Sequence, residues 1–255
     1  MERMKSSEVT IPVGTLQMPA YIAQPEGAGP HPAVIVLQEI FGLNAEMRRV
    51  TDLLASVGYV GIAINCYHRN APDFSASYDE AGYAAGYATA AGVARADLMQ
   101  DVAATISWLD RQDFVKPGKV AAWGFCFGGA AAFLSATLPG LAGAICFYGG
   151  QISRPFPSGE PPAVDQAADI RCPVLLCYGA DDAAIAPEAI EGVRAALLAA
   201  QKTHQIQIYP KVGHGFFRHG NGRIAQIGAT SDEASAEAIA DSWNLVQTFL
   251  RGAFA

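Results

Sequence analysis

The sequence predicts an α/β protein with a mostly parallel central sheet and helices on both faces. Three observations carry that expectation. Short β-branched runs alternate with stretches of helical periodicity along the chain. The run Ala33–Leu37 (AVIVL) is apolar throughout, as a strand buried on both faces is. The 255 residues, 51% hydrophobic and 16% charged, suit one large α/β domain over 1–255 with a deep core.

The elements follow in order. Val9 to Gln24, broken by Pro12, Gly14 and Pro19, reads as a short antiparallel hairpin or edge strands within an N-terminal lead-in over 1–30. After the Ala33–Leu37 strand, Met47, Val50, Leu53, Leu54 and Val57 fall at helical spacing from Asn44 onward, and Gly58 stops the helix. Tyr59–Ile64, Val120–Trp123, Ala144–Phe147, Val174–Cys177 and Ile206–Tyr209 read as further strands. Leu98–Trp108, Ala130–Ala136, Ala189–Ala200 and Ala236–Leu250 read as helices between and after them. Ala71–Gly92, rich in Ala, Gly and Tyr and without Lys or Arg, breaks the rhythm. It reads either as an excursion over the carboxyl edge of the sheet, where such folds bind ligands, or as a flexible loop with weak helix.

Composition excludes several partners. A net charge of −7 argues against nucleic acid or an anionic membrane. The N-terminal MERMKSSEVT lacks an apolar signal region, and no apolar stretch is long enough for a bilayer span. Five irregularly spaced cysteines suggest neither a disulfide framework nor a zinc site, so free thiols in the cytoplasm are expected. No glycine-rich nucleotide motif is present, and no cofactor or metal is expected.

The chemistry-bearing segment is Gly124-Phe125-Cys126-Phe127-Gly128-Gly129, between a buried strand and a helix. Its shape is G-x-nucleophile-x-G, in which a sharp turn exposes the central side chain at a helix N-terminus. Alone, it could equally be a buried structural cysteine beside a glycine-rich turn. Two later features favour chemistry. Gly179-Ala180-Asp181-Asp182 closes an apolar strand, and Gly213-His214-Gly215 follows the last strand. Nucleophile, acid and histidine then occur in the order of α/β-hydrolases. Asp181 and Asp182 compete for the acid role; the spacing from Gly179, with Ile185 and Pro187 following, favours Asp182. His31, His68, His204 and His219 are expected at the surface or in loops, His68 and His219 near the site. The oxyanion of an acyl intermediate would be held by the backbone N–H groups of Phe127 and Ile40.

Together with Gln38-Glu39-Ile40-Phe41-Gly42, these motifs resemble the dienelactone hydrolase (carboxymethylenebutenolidase) family over nearly the whole chain. The resemblance implies an α/β-hydrolase fold and a catalytic set of Cys126, Asp182, His214 and Glu39. It gives Glu39 the task of helping to form the thiolate; otherwise Glu39 is a loop carboxylate pairing with a nearby arginine. It gives Arg218 the task of binding a substrate carboxylate, the alternative being a solvated loop arginine. Arg69, after the second core strand with Tyr67, is structural rather than catalytic on the same resemblance. The family's second carboxylate-binding arginine has no counterpart in Ala71–Gly92, where Tyr83 or Tyr87 would substitute as donors.

The expected activity is hydrolysis of a small, carboxylate-bearing lactone or ester through a cysteine acyl-enzyme, by a monomer or homodimer. Uncharged esters or thioesters are the second reading, and a non-catalytic binding relative of the fold is the third.

Overall fold

A computed structural model describes residues 4–218 and 232–255. The chain runs through β1 (Lys5–Val13), β2 (Leu16–Gln24), β3 (His31–Leu37), α1 (Ala45–Ser56), β4 (Val60–Ile64), α2 (Glu80–Ala90) and α3 (Arg95–Leu109). It continues through β5 (Val115–Phe125), α4 (Phe127–Ser135), β6 (Leu141–Phe147), β7 (Val174–Gly179), α5 (Pro187–Ala199), β8 (His204–Tyr209) and α6 (Asp232–Ala253). Two 3-10 turns, Gly150–Ile152 and Ala163–Asp169, connect β6 to β7.

The strands form one eight-stranded sheet in the order β1-β2-β4-β3-β5-β6-β7-β8. β1 and β2 make the expected hairpin and join β4 antiparallel; the remaining pairs are parallel. This is the mostly parallel α/β sheet that the strand and helix pattern predicted, in the α/β-hydrolase architecture that the resemblance implied. The apolar runs explain it: every residue from Ala33 to Leu37 and from Val120 to Gly124 is buried. Such strands are stable only with both faces covered, and α1 packs on β2 and β4 while α4 packs on β5 and β6.

Strand order fixes where the site lies. The chain leaves β3 for β4 on one side, then returns to place β5 against the other side of β3. The loops after β3 and β5 therefore diverge at their carboxyl ends and open a crevice, the usual ligand position in open parallel sheets. Leu37 is paired with Gly124 there, so Gln38–Phe41 and Cys126 emerge side by side.

Ala71–Gly92 is neither a simple loop nor distant from this crevice. It contains α2, capped by Asp79 through its side-chain bond to the Gly82 N–H at 2.7 Å. Ala76 donates to the Phe41 carbonyl at 3.1 Å, and Gly42 bridges Ser75, which ties the excursion to the loop after β3.

The histidines differ from their expected settings. His31 and His204 open β3 and β8 and are half-buried rather than surface or loop residues. His68 lies in a loop, but its side chain is buried with Asp101 at 3.0 Å, beside Arg69. Arg69 pairs with Asp101 at 2.5 Å, which gives that arginine its structural role. His219 lies outside the described residues. Among the described residues, no helix is long and apolar enough to cross a membrane.

Helix α1 starts where the sequence places it because Asn44 accepts from the Glu46 and Met47 N–H groups at 3.1 and 3.2 Å. The same amide donates to the Tyr78 hydroxyl at 3.0 Å, linking α1 to the excursion. Asn44→Ala is expected to lower stability by roughly 0.5–2 kcal/mol, the usual cost of a lost N-cap. A urea midpoint unchanged from the parent protein would refute that assignment.

Candidate active site

Cys126 stands between β5 and α4 with φ of 53° and ψ of −113°, a conformation costing on the order of 1–3 kcal/mol for a non-glycine residue. Its N–H is held by the Phe147 carbonyl at 2.9 Å. The flanking glycines are required by contact. A Cβ on Gly124 would lie 1.8 Å from the Gly128 carbonyl oxygen, and one on Gly128 would lie 2.1 Å from that of Leu37. Without side chains at both positions, the strand can turn and the helix can seat directly on the loop after β3.

The other four cysteines offer a useful contrast. Cys66, Cys146, Cys172 and Cys177 are free but buried, and burial pushes each thiol up, Cys172 to about 11. Cys126 alone of the five is partly accessible. It opens into a cavity of about 270 Å³ that His214, Ile40, Tyr83 and Tyr87 also line.

His214 Nδ1 lies 2.8 Å from Asp182 Oδ2, with both side chains buried. The other Asp182 oxygen accepts from the Ala184 N–H at 2.8 Å, so the carboxylate is fixed at both ends. Asp181 is exposed, and its N–H donates to the Val212 carbonyl at 3.0 Å. The structure thus brings Asp182, not Asp181, to the histidine. Burial opposes a charge on His214, but the charge of Cys126 and hydrogen bonds to Asp182 and Cys126 outweigh it and raise its pKa to about 10. The Tyr148 ring packs against the imidazole with centroids 5.0 Å apart.

Phe127 is the first residue of α4, so its N–H has no acceptor one turn earlier in the helix. Ile40 is held from behind, its carbonyl accepting from the Tyr67 hydroxyl at 3.1 Å. Both proposed oxyanion donors therefore border the elbow from adjoining strand ends.

Glu39 and Arg218 meet each other rather than the cavity. Their side chains are almost fully buried, with Arg218 Nε 3.2 Å from Glu39 Oε1. Burial works against the guanidinium charge, but Glu39, together with Tyr148, Tyr78 and Cys126, outweighs it and pushes the Arg218 pKa up. The guanidinium also lies 4.8 Å from the Tyr78 ring centroid. Arg218 is therefore neither a solvated loop arginine nor one of the residues that line the cavity with His214. Gly215, at φ of 73°, folds the chain back so closely that a Cβ there would meet Arg218 Nη2 at 1.8 Å. Sequence spacing placed Arg218 near His214 but could not reveal this reversal.

Among the cavity residues that escaped the sequence reading, Gln151, Arg154 and Phe156 lie on the segment after β6. No motif marks them. Their position after a strand neighbouring the elbow strand was the available signal. Among the described residues, no group of three His, Cys, Asp or Glu side chains is placed to hold a metal ion.

Comparison with known proteins places the chain among related sequences and structures. The dienelactone hydrolase family model matches residues 18–254. A Synechocystis sp. protein provisionally named carboxymethylenebutenolidase is 36% identical, spanning 96% of this chain and 95% of its own. A Bradyrhizobium sp. protein provisionally named 2-oxo-3-(5-oxofuran-2-ylidene)propanoate lactonase is 27% identical over 91% of this chain and 88% of its own. The crystal structure of a provisionally named dienelactone hydrolase from Klebsiella pneumoniae superposes with a TM-score of 0.83. It is 30% identical and covers 98% of this chain and 99% of its own.

His214 supplies a direct physical test. Its pKa is raised above the ordinary 6.5 largely through Cys126, so the charged ring favours the fold at neutral pH and loses that contribution as pH rises through about 10. In Cys126→Ala, burial is opposed mainly by Asp182, and the imidazole pKa is expected to fall well below that of the parent. An NMR titration of the ring showing the same midpoint in both proteins would contradict this coupling.

Proposed function

The chain belongs to the dienelactone hydrolase family of lactone and ester hydrolases, and from that premise we propose that it works through a Cys126 acyl-enzyme on a small carboxylate-bearing lactone or ester. The observation carrying this reading is the 2.8 Å contact of His214 with Asp182, on a ring whose charge responds to Cys126.

The steps follow from those contacts. His214 holds the proton of Cys126, and the thiolate attacks the ester carbonyl carbon. The Phe127 and Ile40 N–H groups receive the resulting oxyanion. As the carbonyl reforms, the C–O bond to the leaving alkoxide breaks and His214 gives that oxygen its proton. The histidine then takes a proton from water, whose oxygen attacks the thioester. The thiolate departs and the acyl group leaves as a carboxylic acid, which ionises. Asp182 keeps Nδ1 protonated and steadies the imidazolium throughout. Glu39, buried beside Arg218, assists thiolate formation when that ion pair rearranges. Tyr83 and Tyr87 line the substrate's path.

A carboxylate on the substrate is favoured by the propanoate named in the Bradyrhizobium relative. Uncharged esters or thioesters remain the second reading, because Arg218 is engaged by Glu39. A panel of small lactones and esters, with and without a carboxylate, separates the two.

Cys126→Ala is expected to lower kcat by several orders of magnitude while leaving the fold intact. Full hydrolysis by that variant would end the acyl-enzyme reading. Asp182→Asn is expected to damage kcat far more than Asp181→Asn, since an amide neither orients nor charge-stabilises His214. The reverse ranking in steady-state kinetics would move the acid to Asp181.

A further inference from the structure

We propose that Arg154, with the Gln151 carboxamide beside it, forms the subsite that binds a carboxylate on the substrate. The inference rests on the hydrolase reading above and assigns its anion specificity to residues on the segment after β6.

Both side chains line the cavity that contains Cys126 and His214. Among the described residues, no carboxylate lies within ion-pair distance of Arg154. That separates it from Arg218, whose charge Glu39 already answers. Gln151 is only 8% exposed, and its Oε1 is buried without a hydrogen-bond partner. The buried Oε1 of the Gln151 carboxamide is costly to leave unpaired, and the exposed Arg154 guanidinium lines the same cavity with its charge open to a ligand. Turning that amide presents Nε2 as a second donor, and Arg154 supplies the planar fork that grips a carboxylate.

The guanidinium is positioned rather than loose. It lies against the backbone of Gly150, where a Cβ would come within 2.5 Å of Arg154 Nη2. Its charge reaches across the cavity: burial and the Cys126 charge push the Tyr83 phenol up, and Arg154 pulls it down. The segment carrying it is clamped from outside. Glu160 accepts from the Arg95 N–H at 2.8 Å and the Ser158 hydroxyl at 2.9 Å, and the Glu160 carbonyl accepts from the Phe156 N–H at 2.9 Å. The Arg95 guanidinium donates to the Pro161 carbonyl at 2.9 Å and lies 5.6 Å from the Phe156 ring centroid. Phe156 in turn packs edge-on against Phe127, 6.2 Å away, so the segment is referenced to the elbow itself.

Titration calorimetry with 2-furoate and its neutral counterpart 2-furamide tests the subsite without requiring turnover. Wild type is expected to prefer furoate, and Arg154→Gln to lose roughly tenfold to a hundredfold in furoate affinity, the worth of a charge-assisted contact. Arg154→Lys is expected to recover part of it, because a point charge remains without the fork. No measurable furoate binding by wild type, equal losses for furoate and furamide, or a loss in Arg218→Gln but not in Arg154→Gln would overturn the assignment. A kinetic arm compares kcat/KM for a free acid and its methyl ester. The acid preference is expected to collapse in Arg154→Gln by the calorimetric factor, and an undiminished preference would overturn the subsite. If wild type hydrolyses neither ester while furoate binding still depends on Arg154, hydrolysis falls and the subsite stands.

Discussion

The close seating of α4 on the loop after β3 is the constraint on which the site depends. Gly128 leaves no room for a side chain between its own backbone and the Leu37 carbonyl, and Gly124 leaves none beneath Gly128. That contact holds the ends of β3 and β5 in register, so Phe127 and Ile40 border one elbow. It also forces Cys126 into a positive φ. Such strain persists only where surroundings over-determine it, and here they do. Trp123 stacks on Trp243 with centroids 5.8 Å apart, while Phe125 and Phe147 pack beside it. The helix, the strand and the aromatic layer leave the elbow no alternative path.

Charge is distributed by the same geometry. Two buried acid–base pairs, Asp182 with His214 and Glu39 with Arg218, both act on Tyr148, the first through ring packing and the second through charge. Each neutralises itself locally, as buried charges must when desolvation exceeds a lone ion's gain. The consequence for a ligand is that neither internal cation is freely offered. Glu39 must release Arg218 before that guanidinium can act elsewhere, and His214 is occupied by Asp182 and Cys126. Arg154 is the cavity cation without such a commitment among the described residues.

The legible parts of the sequence were those fixed by short-range necessity. Continuous β-branched runs gave the buried strands, and Asn44 gave the start of α1. The elbow was readable because its G-x-nucleophile-x-G spacing is local, although Gly128 answers to the Leu37 carbonyl far away in the chain. Choosing Asp182 over Asp181 was also possible, from its spacing after Gly179 with Ile185 and Pro187 following. The reading failed where the chain reverses or where contacts are long-range. Arg218 lies four residues beyond His214, but the turn at Gly215 sends its guanidinium to Glu39. The His68 and Asp101 pairing spans 33 residues, and no local pattern announces it. Helix α2 was half-hidden because its Ala, Gly and Tyr composition carries little apolar periodicity. Arg154 sits in a proline-rich connection whose position depends on Arg95, far away in the chain.

Those connections divide the site into parts that can change separately. The acid and histidine loops are joined by backbone, Asp181 donating to Val212 and Ala180 to Tyr209 at 2.8 Å, so they hold the Asp182–His214 pair as a unit. Phe216 and Phe217, directly after that histidine loop, anchor it in the aromatic layer around Phe147 and Trp123. The segment bearing Arg154 and Phe156 is instead secured by Arg95 at the start of α3. It shares the cavity lining with His214. Substitution in that segment can therefore alter which substrate is admitted without moving His214 relative to Asp182. Substitution around Val212 or Phe217 cannot, because the packing that holds the loop also fixes the ring. In this architecture the bond-breaking geometry is anchored in the core, and the groups that choose a substrate lie on a clamp at its edge.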